Sequence, residues 1–204
     1  GDDPEAVEEN RRRIAAAIGV DREKMVYTCQ THTTNVALVT EEDAGKSLSE
    51  TDGMITETPG LCLVTFYADC VPLYFVDPVR KAVGLSHSGW RGTVHNMAGV
   101  TVRKMEEAFG SRPEDILAAV GPSICQDCYE VSEDVIGQFK ENYDPSVWGE
   151  LFYQKEEQKG RGKYQLDLWK ANELNLLGAG LLPEHIAVTN LCTCCNPRIL
   201  FSHR

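Results

Sequence analysis

A strand–turn–strand pattern is the sequence feature that most constrains the fold. Residues 71–76 are rich in branched and aromatic side chains, which is typical of a β-strand. Residues 77–80, Asp-Pro-Val-Arg, predict a turn, and residues 81–87 predict the returning strand. Because a hairpin brings the two ends opposite its turn together, Cys70 and His87 are expected near the same edge of a sheet.

A third side chain with metal-ligand chemistry lies upstream. His32 sits in a polar segment between the apolar residues 25–27 and 36–39. One thiolate and two imidazoles would form a three-ligand centre with a coordination position left for water or substrate, which is typical of catalytic zinc. Taken alone, however, residues this far apart favour a buried thiol at Cys70, with a nucleophile and a metal ligand as the alternatives.

A set of short motifs runs in order along nearly the whole chain. They are Gln30-Thr31-His32, Asp52-Gly53-Met54-Ile55-Thr56, Ala68-Asp69-Cys70-Val71-Pro72-Leu73, His87-Ser88-Gly89-Trp90-Arg91-Gly92-Thr93, Gly121-Pro122-Ser123-Ile124, Tyr129-Glu130-Val131, Asp167-Leu168-Trp169, Cys192-Thr193 and Phe201-Ser202-His203-Arg204. In these motifs the chain resembles the YfiH family, also called the laccase-domain or multicopper polyphenol oxidase family, in which Tyr often stands at the place of His203. The resemblance implies that His32, Cys70 and His87 bind a metal ion, zinc or alternatively copper.

The pattern of elements predicts an α+β fold. Pro4–Ile18 has the apolar spacing of a helix that stops at Gly19, and a single helix is predicted to run from Val94 past Met105. Single helices alternate with strands, and the hairpin makes the sheet mixed. The resemblance implies a layered α/β/β/α sandwich with mixed sheets. It also implies one YfiH-like catalytic domain over residues 1–204, with family members extending beyond both ends.

Several further residues are predicted to contact substrate or to support the chemistry. The glycine-bearing turn at residues 88–93 leads into a helix, and backbone amides there suit phosphate or an oxyanion, although the glycines also suit a tight corner. Arg91 and Gly92 are the predicted substrate contacts, and Cys192 joins them by its family Cys-Thr motif. Asp69 is predicted to act as an acid/base or to orient a ligand. The predicted catalytic set is therefore Asp69, Cys70, His87 and Arg91.

The resemblance implies a purine nucleoside enzyme. Family activities are phosphorolysis of adenosine, inosine, guanosine and methylthioadenosine, and deamination of adenosine; a metal ion that acidifies water suits the deamination. One alternative is a cysteine-type amidase or hydrolase, as in peptidoglycan editing, that uses Cys70 and His87. A copper polyphenol oxidase (laccase) is another, although laccase chemistry needs many histidines and the chain has 5. A zinc-stabilised binding module without enzymatic activity is the third.

Composition limits the class of partner. The formal net charge of -11 disfavours nucleic-acid binding, which depends largely on Lys and Arg. Apolar runs are too short for a membrane span, so we expect a cytoplasmic protein whose partners are a purine nucleoside and phosphate, and the oligomeric state is left open. Most of the 8 cysteines are expected to be reduced thiols.

Two cysteine pairs form a separate pattern. Cys125-x-x-Cys128 and Cys192-x-x-Cys195 have the paired spacing of a four-thiolate zinc site. The distance between the pairs is long for a zinc ribbon, and glycine is missing around Cys192 where a knuckle turn would need it. The sequence therefore favours buried thiols or a disulfide over a second metal site.

Overall fold

The structure is a computed structural model, and it describes residues 3–204. Within these residues the α-helices are α1 (Pro4–Ile18), α2 (Trp90–Val94), α3 (Met97–Phe109), α4 (Glu133–Asn142), α5 (Trp148–Leu151) and α6 (Leu168–Gly178). The strands are β1 (Met25–Thr28), β2 (Val36–Leu38), β3 (Ser47–Leu48), β4 (Gly53–Thr56), β5 (Cys62–Val64), β6 (Val71–Asp77), β7 (Ala82–Ser88), β8 (Leu117–Val120), β9 (Glu130–Ser132), β10 (Phe152–Tyr153), β11 (Lys163–Leu166) and β12 (Ile186–Val188).

The largest sheet is mixed and has the strand order β12-β8-β6-β7-β4-β2. β6 and β7 form the predicted antiparallel hairpin, with Pro72 opposite His87 and Asp77 opposite Ala82. The carboxylate of Asp77 accepts two backbone N–H bonds from the turn, which fixes the turn in place. The pairs β12–β8 and β2–β4 are parallel. The hairpin places Cys70, the residue before β6, beside the end of β7, as predicted.

A second sheet of three parallel strands, β3-β1-β5, lies between helix α1 and the large sheet. Successive side chains of a strand point to opposite faces. Met25 and Tyr27 therefore pack against Ala15 of α1, while Val26 between them packs with Met54 of the large sheet. Helices α3 and α6 cover the other face of the large sheet. The predicted α+β fold and its α/β/β/α layering are confirmed.

The single helix predicted beyond Val94 is wrong, because the structure has two helices there. Asn96 adopts a left-handed backbone with φ 58°, and its side-chain oxygen accepts the N–H of Gly99 at 2.9 Å. Asparagine tolerates this conformation better than most residues and also caps helices, so it ends α2 and starts α3. The break leaves α2 as a short helix against the end of β7, where His87 lies.

The third sheet is antiparallel, with the order β10-β11-β9, and it follows the 3₁₀ turn at Gln126–Cys128. Its strands β10 and β11 pair antiparallel, with Phe152 opposite Leu166. Among residues 3–204, no helix is both long enough and apolar enough to cross a membrane.

Candidate metal centre and its pocket

The three predicted ligands meet at the open end of the β6–β7 hairpin. One donor atom from each of His32, Cys70 and His87 lies within 4.8 Å of the other two. Cys70 Sγ is 3.9 Å from His32 Nε2, and the two imidazole rings cross edge to face with centroids 4.9 Å apart. A thiol and two imidazoles at this spacing can hold a divalent metal ion and leave a coordination position for water or substrate.

The buried carboxylate of Asp52 fixes both histidines. It accepts the backbone N–H of His32 at 2.9 Å and the Nδ1–H of His87 at 2.9 Å. It also accepts the backbone N–H groups of Thr31 at 3.1 Å and Thr33 at 2.9 Å. Because Nδ1 of His87 is engaged, Nε2 is the ring nitrogen available to an ion. The sequence alone indicates no role for Asp52 beyond its place in a family motif.

The protonation states around Asp52 suit metal binding. Burial raises the pKa of Asp52, but hydrogen bonds from Thr33, Thr31 and His87 outweigh it, and the net pKa is lowered. Burial lowers the pKa of His87 although the bond to Asp52 opposes this change. His87 is therefore a neutral imidazole at neutral pH, the form that binds metals.

The donor atoms open into a cavity of about 590 Å³. This volume is within the usual range of roughly 300–1,000 Å³ for small-ligand pockets. The lining residues are Thr28, Gln30, His32, Phe66, Ala68, Asp69, Cys70, His87, His203 and Arg204. The Gln30 side chain bonds the backbone of Phe66 in both directions, at 2.8 and 2.9 Å, and so fixes that wall. The sequence does not indicate a role for Phe66, and Gln30, His203 and Arg204 stand in family motifs that predict no place in the pocket.

Asp69 holds another wall of the cavity. One of its carboxylate oxygens accepts the hydroxyl of Thr193 at 2.7 Å, and the other accepts the backbone N–H of His203 at 2.7 Å. Its backbone is left-handed, with φ 86°, and its carbonyl accepts the N–H of Ile124 at 3.1 Å. Asp69 thus joins three chain segments beside Cys70. This geometry gives it a positioning role, and its predicted acid/base role stays a prediction.

The three predicted substrate contacts are not among the residues that line this pocket. Arg91 is exposed, with its guanidinium carbon 4.4 Å from the centre of the Trp90 ring. Gly92 is buried in α2 behind the carbonyl of His87. Cys192 is also buried, and its sulfur belongs to a group of four cysteines. Contact of Arg91, Gly92 and Cys192 with substrate remains a prediction.

A methyl group at Gly89 is expected to crowd the ligands. A Cβ there would lie 3.0 Å from Cys70 Sγ and 3.1 Å from His32 Cδ2, although the backbone itself tolerates alanine. We expect Gly89→Ala to weaken metal affinity about 10-fold or more, as displaced supporting groups do. Competition titration against a zinc chelator measures the change.

Gly92→Ala is the matched control on the same turn. Its Cβ would meet the carbonyl of His87 at 3.5 Å and Met97 at 3.6 Å, which are ordinary contacts. Metal affinity should be unchanged in this variant. Equal affinities of the two alanine variants would contradict the proposed placement of the ligands around Gly89.

Comparison with known proteins shows similarity along the full chain. The family model described as multi-copper polyphenol oxidoreductase laccase matches residues 1–204. Purine nucleoside phosphorylase YlmD of Bacillus subtilis is 38% identical over 97% of this chain and 72% of its own length. An adenosine deaminase from an unknown prokaryotic organism is 34% identical over 100% of this chain and 78% of its own length. The crystal structure of YlmD from Geobacillus stearothermophilus superposes with a TM-score of 0.93 at 37% identity, covering 100% of this chain and 76% of that one.

Proposed function

We propose that this chain, which belongs to the YfiH family, is a zinc-dependent purine nucleoside enzyme. The family model that matches the chain carries the description multi-copper polyphenol oxidoreductase laccase. The proposed activities are phosphorolysis of adenosine, inosine, guanosine and methylthioadenosine, and deamination of adenosine. The observation that carries the proposal is the His32, Cys70 and His87 group, which faces a ligand-sized cavity. Relatives named purine nucleoside phosphorylase and adenosine deaminase support the substrate class. We assign the activity to one catalytic domain over residues 1–204, acting in the cytoplasm.

The chemistry of the donor set fits zinc. One sulfur and two ring nitrogens are ligands that zinc prefers, and three protein ligands are typical of catalytic rather than structural zinc. When bound, zinc supplies Lewis acidity and lowers the pKa of water, which suits attack on a purine ring carbon. Asp52 fixes the two histidines that would hold the ion, and Asp69 holds the wall beside Cys70.

The cavity walls offer groups that suit a nucleoside and phosphate. The Phe66 ring lies nearly parallel to that of Tyr27, with centroids 6.2 Å apart, and is 55% exposed, so its open face can stack on a purine base. Arg204 lines the cavity and is a candidate for the phosphate contact that phosphorolysis requires. We retain Arg91 as a second phosphate candidate because its guanidinium is exposed on the helix that follows β7.

The cysteine-hydrolase alternative is weaker on the same geometry. Burial, together with Asp69 and Asp52, raises the pKa of the Cys70 thiol to about 11. Without a cation this thiol stays protonated at neutral pH and is a poor nucleophile, whereas a metal ion deprotonates a thiol that it binds. The copper-oxidase alternative is supported by the description of the matching family model. It has few ligands to draw on, since His95 and His185 belong to neither ligand group within residues 3–204.

An assay with adenosine separates the proposed activities. Zinc-loaded protein is incubated with adenosine, with and without inorganic phosphate, and inosine, free adenine and ribose 1-phosphate are followed by chromatography. Adenine and ribose 1-phosphate that appear only with phosphate support phosphorolysis, and inosine without phosphate supports deamination. Inosine, guanosine and methylthioadenosine are assayed in the same way. If folded, zinc-loaded protein converts none of these nor adenosine, the proposal is wrong. Phenol oxidation by the copper-loaded protein would instead support the oxidase.

A further inference from the structure

Four cysteines from two distant segments meet behind the wall of the cavity. The sulfur atoms of Cys125, Cys128, Cys192 and Cys195 all lie within 4.8 Å of one another. Cys128 Sγ lies 3.5 Å from Cys195 Sγ. Tetrahedral zinc with Zn–S bonds of about 2.3 Å requires sulfur atoms roughly 3.8 Å apart. The four sulfur atoms therefore need only small movements to surround one ion.

The backbone around the sulfur atoms is already arranged for thiolates. The backbone N–H groups of Cys125 and Cys195 donate to Cys192 Sγ at 3.3 and 3.4 Å. Such bonds favour the charged form of a sulfur atom. The second bond closes a tight turn at residues 192–195, although glycine is missing there. Residues 125–128 form a matching single turn, with the Cys128 N–H bonded to the Cys125 carbonyl at 3.1 Å.

We propose that Cys125, Cys128, Cys192 and Cys195 bind a structural zinc ion, separate from the centre formed by His32, Cys70 and His87. Four thiolates complete a tetrahedron and leave no position for substrate, which is the mark of a structural site. A compact group of four sulfur ligands selects zinc or iron over harder metals. Each thiol that binds gives its proton to solvent, so the net reaction exchanges thiol protons for the ion.

The position of the group indicates what the ion would hold together. It lies one residue from Thr193, whose hydroxyl bonds Asp69, and one residue from Ile124, whose N–H bonds the Asp69 carbonyl. An ion there would cross-link the two segments that fix Asp69 beside Cys70. Such a cross-link between distant segments limits the freedom of the cavity wall. The structural ion would thus support the catalytic centre without contacting substrate.

The test is the zinc content of protein purified under reducing conditions, measured by elemental analysis. We expect two zinc ions per native chain, and one in the double variant Cys128→Ser, Cys195→Ser. Cys70→Ala should also retain one. Cys194→Ser changes the neighbouring thiol of the same turn and should retain both ions. Cobalt loading of Cys70→Ala should give the strong sulfur charge-transfer absorption of a four-thiolate site, a readout that needs no variant within the group.

The outcomes separate this site from the proposed catalytic centre. Zinc that is lost in the double variant but kept in Cys70→Ala supports the structural site even if no nucleoside is converted. Zinc content unaffected by the double variant, or a cobalt spectrum of Cys70→Ala without four-thiolate absorption, would overturn the proposal. So would a reduced native chain that binds no zinc at these sulfurs but forms a Cys128–Cys195 disulfide on exposure to air.

Discussion

Replacing Cys70 by alanine is expected to reduce nucleoside turnover by at least about 100-fold, since loss of a group that merely supports a ligand already costs about 10- to 100-fold. The change removes the sulfur donor of the three-ligand centre. Only the imidazoles of His32 and His87 remain, and two ligands bind an ion more weakly than three. The fold should survive, because Cys70 is only partly buried and precedes the strand rather than lying within it. Turnover and zinc content are measured together, with circular dichroism to confirm folding.

Cys29→Ala is the control for removal of a thiol. Cys29 is exposed, lies outside both cysteine-containing ligand groups, and contacts Ser47 Oγ at 3.3 Å. We expect native turnover and native zinc content in this variant. A Cys70→Ala protein that retains native turnover would contradict both the metal centre and the cysteine-nucleophile alternative.

Asp52→Ala is expected to have the largest effect on stability of any single change in the centre. It leaves the part-buried N–H groups of His32, Thr31 and Thr33 without their acceptor, at up to about 1–3 kcal/mol for each group that stays unsatisfied. Part of this cost is recovered if water enters, so we expect a loss of about 3–5 kcal/mol. His87 also loses the partner of its Nδ1, and zinc affinity should fall about 10- to 100-fold.

The two effects of Asp52→Ala can be separated. Urea unfolding with a chelator present measures the stability of the metal-free chain, and chelator competition measures zinc affinity. Asp77→Ala is the matched control, since Asp77 is also fully buried and accepts two backbone N–H bonds, but at the turn end of the hairpin. It should lower stability and leave zinc affinity unchanged. An Asp52→Ala protein whose zinc affinity is no lower than that of Asp77→Ala would disprove the positioning role.

The local pattern was enough to predict the hairpin and the approach of Cys70 to His87. Both strands are contiguous in sequence, and their turn carries its own acceptor, Asp77, so no distant contact decides the pairing. His32 is different, because nothing in its own segment places it beside Cys70. Its position depends on the bond of its backbone N–H to Asp52. The family resemblance supplied what the local sequence could not.

The features that could not be predicted from the sequence share a physical cause, since each depends on a contact or a backbone conformation that residue type does not reveal. Apolar spacing alone joined Val94 to the following helix, while the left-handed Asn96 between them ended one helix and began the next. The sequence gives Asp52 no role because three of its partners are backbone amides, which leave no trace in residue type. The cysteine turn at residues 192–195 was missed because a sulfur acceptor, rather than glycine, closes it.

The segment that carries His32 crosses from β1 in the small sheet to β2 in the large sheet, whereas Cys70 precedes β6 and His87 lies within β7, both strands of the large sheet. The donors can therefore converge only after the two sheets have stacked. An unfolded chain would offer no comparable chelate, so an ion that binds here favours the native chain by mass action. Zinc supply would then govern how long each molecule persists in the cell as well as whether it is active.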